Sequence, residues 1–261
     1  MGNNTAEHMP AKEESIERLG RLLQNSRRIV AFTGAGCSTE SNVPDFRSQE
    51  GLYSETQYPY PPETMLSSQF FWANPKEFYR FYLDKMLYPN ARPNKAHLAF
   101  AHLEGMGRLT AVVTQNIDGL HQMAGSKTVL ELHGSVFRNY CTKCGHFFTL
   151  EQLLELTHQG GKIPCCPCGG IVKPDVVLYG ESLDDAIVEA AIRHISQADT
   201  LLVGGTSLAV YPAAGLLRYF KGETLILLNK TPTSCDHLAT AIYRQPIGEV
   251  LEEAVLQRGT R

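Results

Sequence analysis

Arg28-Ile-Val-Ala-Phe-Thr33 runs straight into Gly34-Ala35-Gly36. A short apolar run closed by glycines reads as a buried strand that ends in a tight turn. Four other runs look alike, at residues 109–114, 176–179, 200–203 and 224–228, each bounded by polar or glycine residues. Helical patterns stand between several of them, at 94–104, 183–196 and 212–220. Another precedes the first strand at 13–24, with Ile16, Leu19, Leu22 and Leu23 at helical spacing. Strands alternating with helices predict an α/β fold: a Rossmann-like, doubly wound parallel sheet with helices on both faces.

Two stretches break the rhythm. Residues 48–93 are rich in Tyr, Phe and Pro and predict a loop followed by a helical insertion; residues 140–173 carry a cysteine cluster. Together they predict a smaller lobe, with the large lobe built from 13–47, 94–139 and 174–255 of a single domain. The chain has 261 residues, 43% hydrophobic and 20% charged, which excludes a disordered or low-complexity protein. A net charge of −3 gives no support to direct nucleic-acid binding. The most apolar stretch, 201–217, is interrupted by polar residues and glycines, so no membrane span is expected. The polar first ten residues are expected to be mobile. The N-terminus carries no secretory pattern, and Ala6 stands where a myristoylation start wants Ser or Thr. A cytoplasmic location is expected.

Five of the seven cysteines fall between 141 and 168. Cys141-Thr-Lys-Cys144 and Cys165-Cys-Pro-Cys168 make two C-x2-C knuckles, which supply the four thiolates that structural zinc takes in a tetrahedron. Cys166 rivals Cys165 as third ligand, and the C-x2-C spacing favours Cys165. Four bound sulfurs leave zinc no open position for catalysis. Cys37 and Cys235 are isolated and read as small core residues.

The glycines of Gly34-Ala-Gly36 would let backbone amides approach a pyrophosphate seated on a helix N-terminus. The third glycine of G-x-G-x-x-G is missing, since Thr39 stands there. A second strand ends in Gly204-Gly-Thr-Ser207 and a third in Asn229. No acidic residue closes a strand about 20 residues after the glycines, as a dehydrogenase requires for its ribose. Asn229 could serve there as a neutral amide. The pattern suggests a dinucleotide site and argues against hydride transfer. Thr114-Gln-Asn-Ile-Asp118 puts polar side chains at a strand's C-terminal end, where α/β sheets bind ligands. His133, before Gly134, is a candidate base, with His121 its closest rival.

Gly34-Ala-Gly-Cys-Ser-Thr-Glu-Ser-Asn-Val-Pro-Asp-Phe-Arg47, Thr114-Gln-Asn-Ile-Asp-Gly-Leu-His121, Leu132-His-Gly134, the cysteine knuckles, Lys173-Pro-Asp-Val-Val-Leu-Tyr-Gly-Glu181 and Gly205-Thr-Ser-Leu-Ala-Val-Tyr-Pro-Ala213 stand in one order. Together they resemble the sirtuins of bacterial type, NAD-dependent protein lysine deacylases, over roughly residues 15–255. The resemblance implies that the acyl group passes to ADP-ribose, with release of nicotinamide and an O-acetyl-ADP-ribose. It implies His133 as general base, acting with Asn116. Gly34, Ala35, Gly36, Thr39, Asp45, Phe46 and Arg47 would shape the phosphate and ribose end. Gln115, Asn116, Ile117 and Asp118 would bound the nicotinamide pocket. Gly205, Thr206, Ser207, Asn229 and Ile247 would hold the adenosine side. An acetylated protein or peptide would lie as an added strand against Val176, Val177, Tyr179 and Gly180, with Leu208 and Val210 opposite. A monomer is expected.

Three departures from the family pattern matter. Asn42 stands where the family usually has Gly, and Asn tolerates the positive φ such a turn needs. Val43 stands for Ile. Relatives that remove acidic acyl groups carry Tyr-x-x-Arg in the helical insertion; here Tyr79 is followed by Tyr82, so a preference for neutral acyl groups, acetyl first, is implied. Two readings compete with a deacylase. One is mono-ADP-ribosyl transfer to protein, and the other a zinc-ribbon binding module on a degenerate nucleotide fold.

Overall fold

The structure, a computed structural model, describes residues 15–46, 51, 57–160 and 163–257. The polar N-terminal stretch 1–10 and Arg47 lie outside these residues. In chain order the strands are β1 (Ile29–Thr33), β2 (Leu109–Thr114), β3 (Val129–Glu131), β4 (Gly134–Cys141), β5 (Phe147–Thr149), β6 (Val172–Val176), β7 (Thr200–Gly204), β8 (Thr224–Leu228) and β9 (Ala241–Tyr243). The helices are α1 (Ile16–Asn25), α2 (Pro62–Met65), α3 (Ser68–Ala73), α4 (Pro75–Lys85), α5 (Lys95–Gly105), α6 (Leu120–Met123), α7 (Leu150–Gly160), α8 (Asp185–Gln197) and α9 (Ile247–Leu251).

Six strands form one parallel sheet in the order β3-β2-β1-β7-β8-β9. Counted along this sheet alone the order is 3-2-1-4-5-6, the doubly wound Rossmann order. β1 is buried at all five positions, and its residues alternate between two cores. Ile29 and Ala31 pack with Leu19, Phe100, Leu202 and Val250, while Val30 and Phe32 pack with Ile195, Leu201, Val203 and Leu227. Burial on both faces is why these strands read as continuous apolar runs without polar alternation.

The order reverses between β1 and β7, whose ends lie level, Thr33 opposite Gly204. Here the two glycine loops meet backbone to backbone. The Gly34 amide donates to the Gly204 carbonyl at 3.1 Å and the Gly36 amide to the Gly205 carbonyl at 2.8 Å. Those amides are therefore spent on the neighbouring loop. Nor does an α-helix follow: two 3-10 turns, Ala35–Cys37 and Thr39–Ser41, take its place. The expectation of a pyrophosphate on a helix N-terminus is corrected here, because a single 3-10 turn sums few peptide dipoles. Gly205 sits at φ +62, and a Cβ there would lie 2.2 Å from the Cys37 amide nitrogen. Gly205→Ala is expected to cost about 1–3 kcal/mol or more through overpacking and the positive φ, read as a lower midpoint in denaturant unfolding.

A second sheet, β5-β4-β6, is antiparallel. It packs on the helical insertion through Phe71, Phe78, Phe81, Val136, Leu153 and Val172. The run 176–179, read as a main-sheet strand, is not one: Val176 closes β6 of the small sheet, opposite Gly134. A short apolar run does not reveal its partner. The helix expected at 212–220 is a 3-10 helix, Ala213–Tyr219. The edge strands β3 and β9, three residues each, are too short to show a period. Among the described residues no helix is long and apolar enough to cross a membrane.

Candidate active site

A cavity of about 970 Å³ opens at the switch point and continues toward the small lobe. Its glycine-rich rim is Gly34, Ala35, Gly36, Thr39 and Gly205, and Asp45 and Phe46 close it from the loop that follows. Gln115, Asn116, Ile117, Asp118 and His133 form its polar interior, and Thr206, Ser207, Asn229 and Ile247 line the far side. Val176, Val177, Tyr179, Gly180 and Val210 also reach it. Every described residue expected in the nucleotide and base positions therefore meets in one space. Leu208 does not: it is 4% exposed and packs in the same core as Leu201 and Val203 of β7. Asn42 adopts the left-handed conformation at φ 60, as its residue type allows.

The polar interior is held by a chain of hydrogen bonds. The Asn116 side-chain amide donates to Ser38 Oγ at 3.0 Å, and Ser38 donates to Asp118 Oδ2 at 2.7 Å. The Leu120 amide donates to the other Asp118 oxygen at 2.9 Å. Burial pushes the Asp118 carboxyl up, against the opposing pull of the Leu120 amide and the Ser38 hydroxyl. Ser38, which sequence reading left without a role, joins the two segments. Its partners stand about eighty positions away, so no local pattern could reveal it. Gln115 donates to Thr206 Oγ1 at 3.0 Å and ties the β2 and β7 ends together. Asn229 donates from Nδ2 to the Thr231 carbonyl at 2.7 Å, which turns its Oδ1 into the acceptor of the pair.

His133 Nδ1 lies 2.9 Å from the Gln115 carbonyl oxygen. A carbonyl only accepts, so Nδ1 carries the proton and Nε2 keeps its lone pair. Burial lowers the His133 pKa, partly opposed by that hydrogen bond, so the ring is a neutral base at pH 7. His121 is excluded from this role: it is 1% exposed, does not line the cavity, and burial holds it well below its ordinary range.

The metal expectation holds in kind and is corrected in one ligand. Cys141, Cys144, Cys166 and Cys168 place their sulfurs within 4.8 Å of one another. Cys141 and Cys168 are 3.4 Å apart and Cys144 and Cys166 3.7 Å. Zn–S bonds of ~2.3 Å in a tetrahedron need sulfurs about 3.8 Å apart, so the set fits zinc. The Cys144 amide, then that of Lys143, point at Cys141 Sγ and lower its pKa to about 6, which favours thiolate. Cys165 is not one of the four. It lies outward in a bridge with Ile171, while the Cys166 amide bonds the Gly170 carbonyl and turns the next sulfur inward. The strand pairing selects Cys166 over the C-x2-C spacing.

Tyr79 and Tyr82 are both fully buried in the small-lobe core, Tyr79 donating to the Val172 carbonyl. From the helical insertion and the segment after it, the cavity is reached instead by Leu66, Lys85, Met86 and Tyr88, which sequence reading did not single out.

A Rossmann-ordered sheet with a polar pocket at its switch point, joined to a lobe carrying a four-cysteine knuckle, defines a dinucleotide-dependent α/β enzyme with a structural metal. Residues 34–212 match the model of the Sir2 family. The chain is 54% identical over 244 residues to an NAD-dependent protein deacetylase of Clostridium acetobutylicum, covering 93% of this chain and 98% of that one. It superposes on a solved Sir2–p53 peptide–NAD+ structure at a TM-score of 0.83 and 37% identity, over 95% of this chain and 100% of that chain. A Sir2 variant with a deacetylated p53 peptide and 3′-O-acetyl ADP ribose superposes at 0.86 and 37% identity, over 94% and 99% of the two chains. The chain belongs to the Sir2 family.

Proposed function

We propose that this protein is an NAD-dependent protein-lysine deacetylase, which transfers the acetyl group of a modified lysine to ADP-ribose and releases nicotinamide. The observation that carries the reading is the free Nε2 of His133, facing the same cavity as Asn116 and Asp118. Bound NAD supplies an electrophilic ribose carbon whose cationic leaving group departs as nicotinamide.

The chain's residues do the rest. Asp118, fixed by Ser38 and Leu120, accepts from the carboxamide of the nicotinamide. Asn116, oriented by Ser38 and by its own backbone amide on Thr114 Oγ1, would present its side chain to the nicotinamide ribose. Ala35, Thr39, Phe46 and the glycine rim border the phosphates and first ribose. Thr206, Ser207, Asn229 and Ile247 border the adenosine. His133 Nε2 takes a proton from a ribose hydroxyl. The apolar walls keep the acetyl oxygen, a weak nucleophile, dry and in line. The peptide lies in the cleft between 176–180 and Val210. The amides of Val177, Leu178 and Tyr179 are engaged by the His133 carbonyl, Glu181 and the Leu66 carbonyl, which fixes the segment that borders the peptide.

An acetyl-lysine peptide incubated with the protein is expected to lose acetyl only when NAD is present, with O-acetyl-ADP-ribose appearing in the mass spectrum. ADP-ribose retained on protein, with acetyl intact, would instead indicate ADP-ribosyl transfer. Neutral acyl groups are preferred, because among the described residues no arginine lines the cavity to pair a carboxylate, and Lys85, which does line it, already faces Asp84 at 3.5 Å. A succinyl-lysine peptide is expected to react at least about tenfold more slowly, the loss of one charge-assisted bond. Equal rates would refute the selectivity.

A further inference from the structure

Cys37, His97 and His121 converge behind the glycine loop from three separate elements, the 3-10 turn Ala35–Cys37, α5 and α6. All three are buried, at 0%, 0% and 1% exposure. Each offers one ligand atom, and these atoms lie within 4.8 Å of one another. None lines the cavity.

The hydrogen bonds of the rings are incomplete. The Asn94 amide donates to His97 Nδ1 at 3.2 Å, and His121 Nε2 lies 3.0 Å from Thr33 Oγ1. Thr33 gives its own proton to Thr114, so it accepts from His121 Nε2. That leaves His121 Nδ1 with a bare lone pair. His97 Nε2 and His121 Nδ1 have no hydrogen-bond partner, though buried imidazole nitrogens are normally satisfied.

We propose that Cys37, His97 and His121 form a second metal site, separate from the four-cysteine knuckle, that takes one copper(I) ion. The charge decides the metal. One thiolate and two neutral imidazoles around a monovalent ion sum to zero, whereas zinc would leave a net positive charge in a site with no solvent. Ligand type agrees: a soft thiolate with imidazoles suits copper(I), which accepts two or three ligands, while structural zinc takes four.

Binding is a simple exchange. The Cys37 S–H bond breaks, a Cu–S bond forms, the proton goes to solvent, and no electron moves. His121 Nδ1 coordinates without rearrangement. For His97 Nε2 to join, the ring proton moves to Nδ1 and the Asn94 amide bond is given up. Cys37 and His121 are thus the primary pair and His97 the third ligand.

The test titrates the zinc-loaded protein with copper(I) under anaerobic, reducing conditions against a competing chelator, counting both metals by native mass spectrometry. The protein is expected to gain one copper per chain and keep its zinc. Cys37→Ala is expected to keep zinc and to lose copper affinity by more than the roughly 10–100-fold that an outer-shell partner is worth. Copper that enters only as zinc leaves, or uptake unchanged in Cys37→Ala, would overturn the proposal. Should that variant not fold, X-ray absorption on the unsubstituted protein decides: a mixed nitrogen–sulfur shell supports the site, an all-sulfur shell rejects it. None of these readouts depends on deacetylation.

Discussion

His133→Ala is expected to lower NAD-dependent deacetylation by about 10²–10⁴-fold, the range a positioned general base contributes, while NAD binding by calorimetry stays within a few-fold. The two effects separate because Nδ1 is bonded to the Gln115 carbonyl and only Nε2 is offered to a reacting group. The nucleotide end is walled by other segments, among them the glycine loops and Asn229. Removing the ring leaves the Ser38–Asn116–Asp118 chain in place, since none of its bonds runs through His133. The pH profile supplies an independent readout. Burial lowers the pKa below the ordinary 6.5, so the base is neutral above that value and becomes protonated as pH falls through the lowered one. The acid limb of the rate is expected below pH 6.5 and is expected to vanish from the residual activity of the variant. Turnover within about tenfold of the unsubstituted protein would remove His133 from the base position.

The second large effect separates two adjacent cysteines. Cys166→Ser is expected to abolish zinc binding and unfold the small lobe, whereas Cys165→Ser keeps one zinc per chain and the same thermal midpoint. Apparent zinc binding contributes on the order of 10–16 kcal/mol in small zinc-dependent folds, so losing one of four thiolates is felt as folding free energy. The knuckle adjoins the small-lobe core, since Cys141 and Cys166 pack in the same apolar cluster as Phe71, Leu153 and Val172. Metal loss therefore loosens β4, β6 and α7 together. Zinc content by atomic spectroscopy and a thermal melt read both quantities. Zinc loss in Cys165→Ser with retention in Cys166→Ser would reverse the assignment.

The contrast between those neighbours marks what a linear pattern reveals. C-x2-C is a spacing rule, and both residues sit on one short segment. The choice belongs to the Cys165–Ile171 bridge and the Cys166–Gly170 bond, which set the direction of each side chain. The same holds for the glycines. Their presence marks a close approach, but what they approach is the β7 loop, and that loop lies about 170 positions away. Tyr79 and Tyr82 make the point for specificity: their spacing invites comparison with an acyl-binding pair, yet both are sealed in the aromatic core.

By itself the sequence determined the doubly wound sheet, because strands buried on both faces must be apolar throughout and glycines must close them. It determined the four-thiolate lobe in kind and the set of polar side chains at the strand ends, since those chemistries need particular residue types. Tertiary structure alone decided which sulfur turns inward and which nitrogen of His133 is free. It alone joined Asn116 to Asp118 through Ser38 and gathered Cys37, His97 and His121. Each of these is a direction or a distance between segments far apart in the chain. Such quantities follow from packing the whole core, and no local periodicity encodes them.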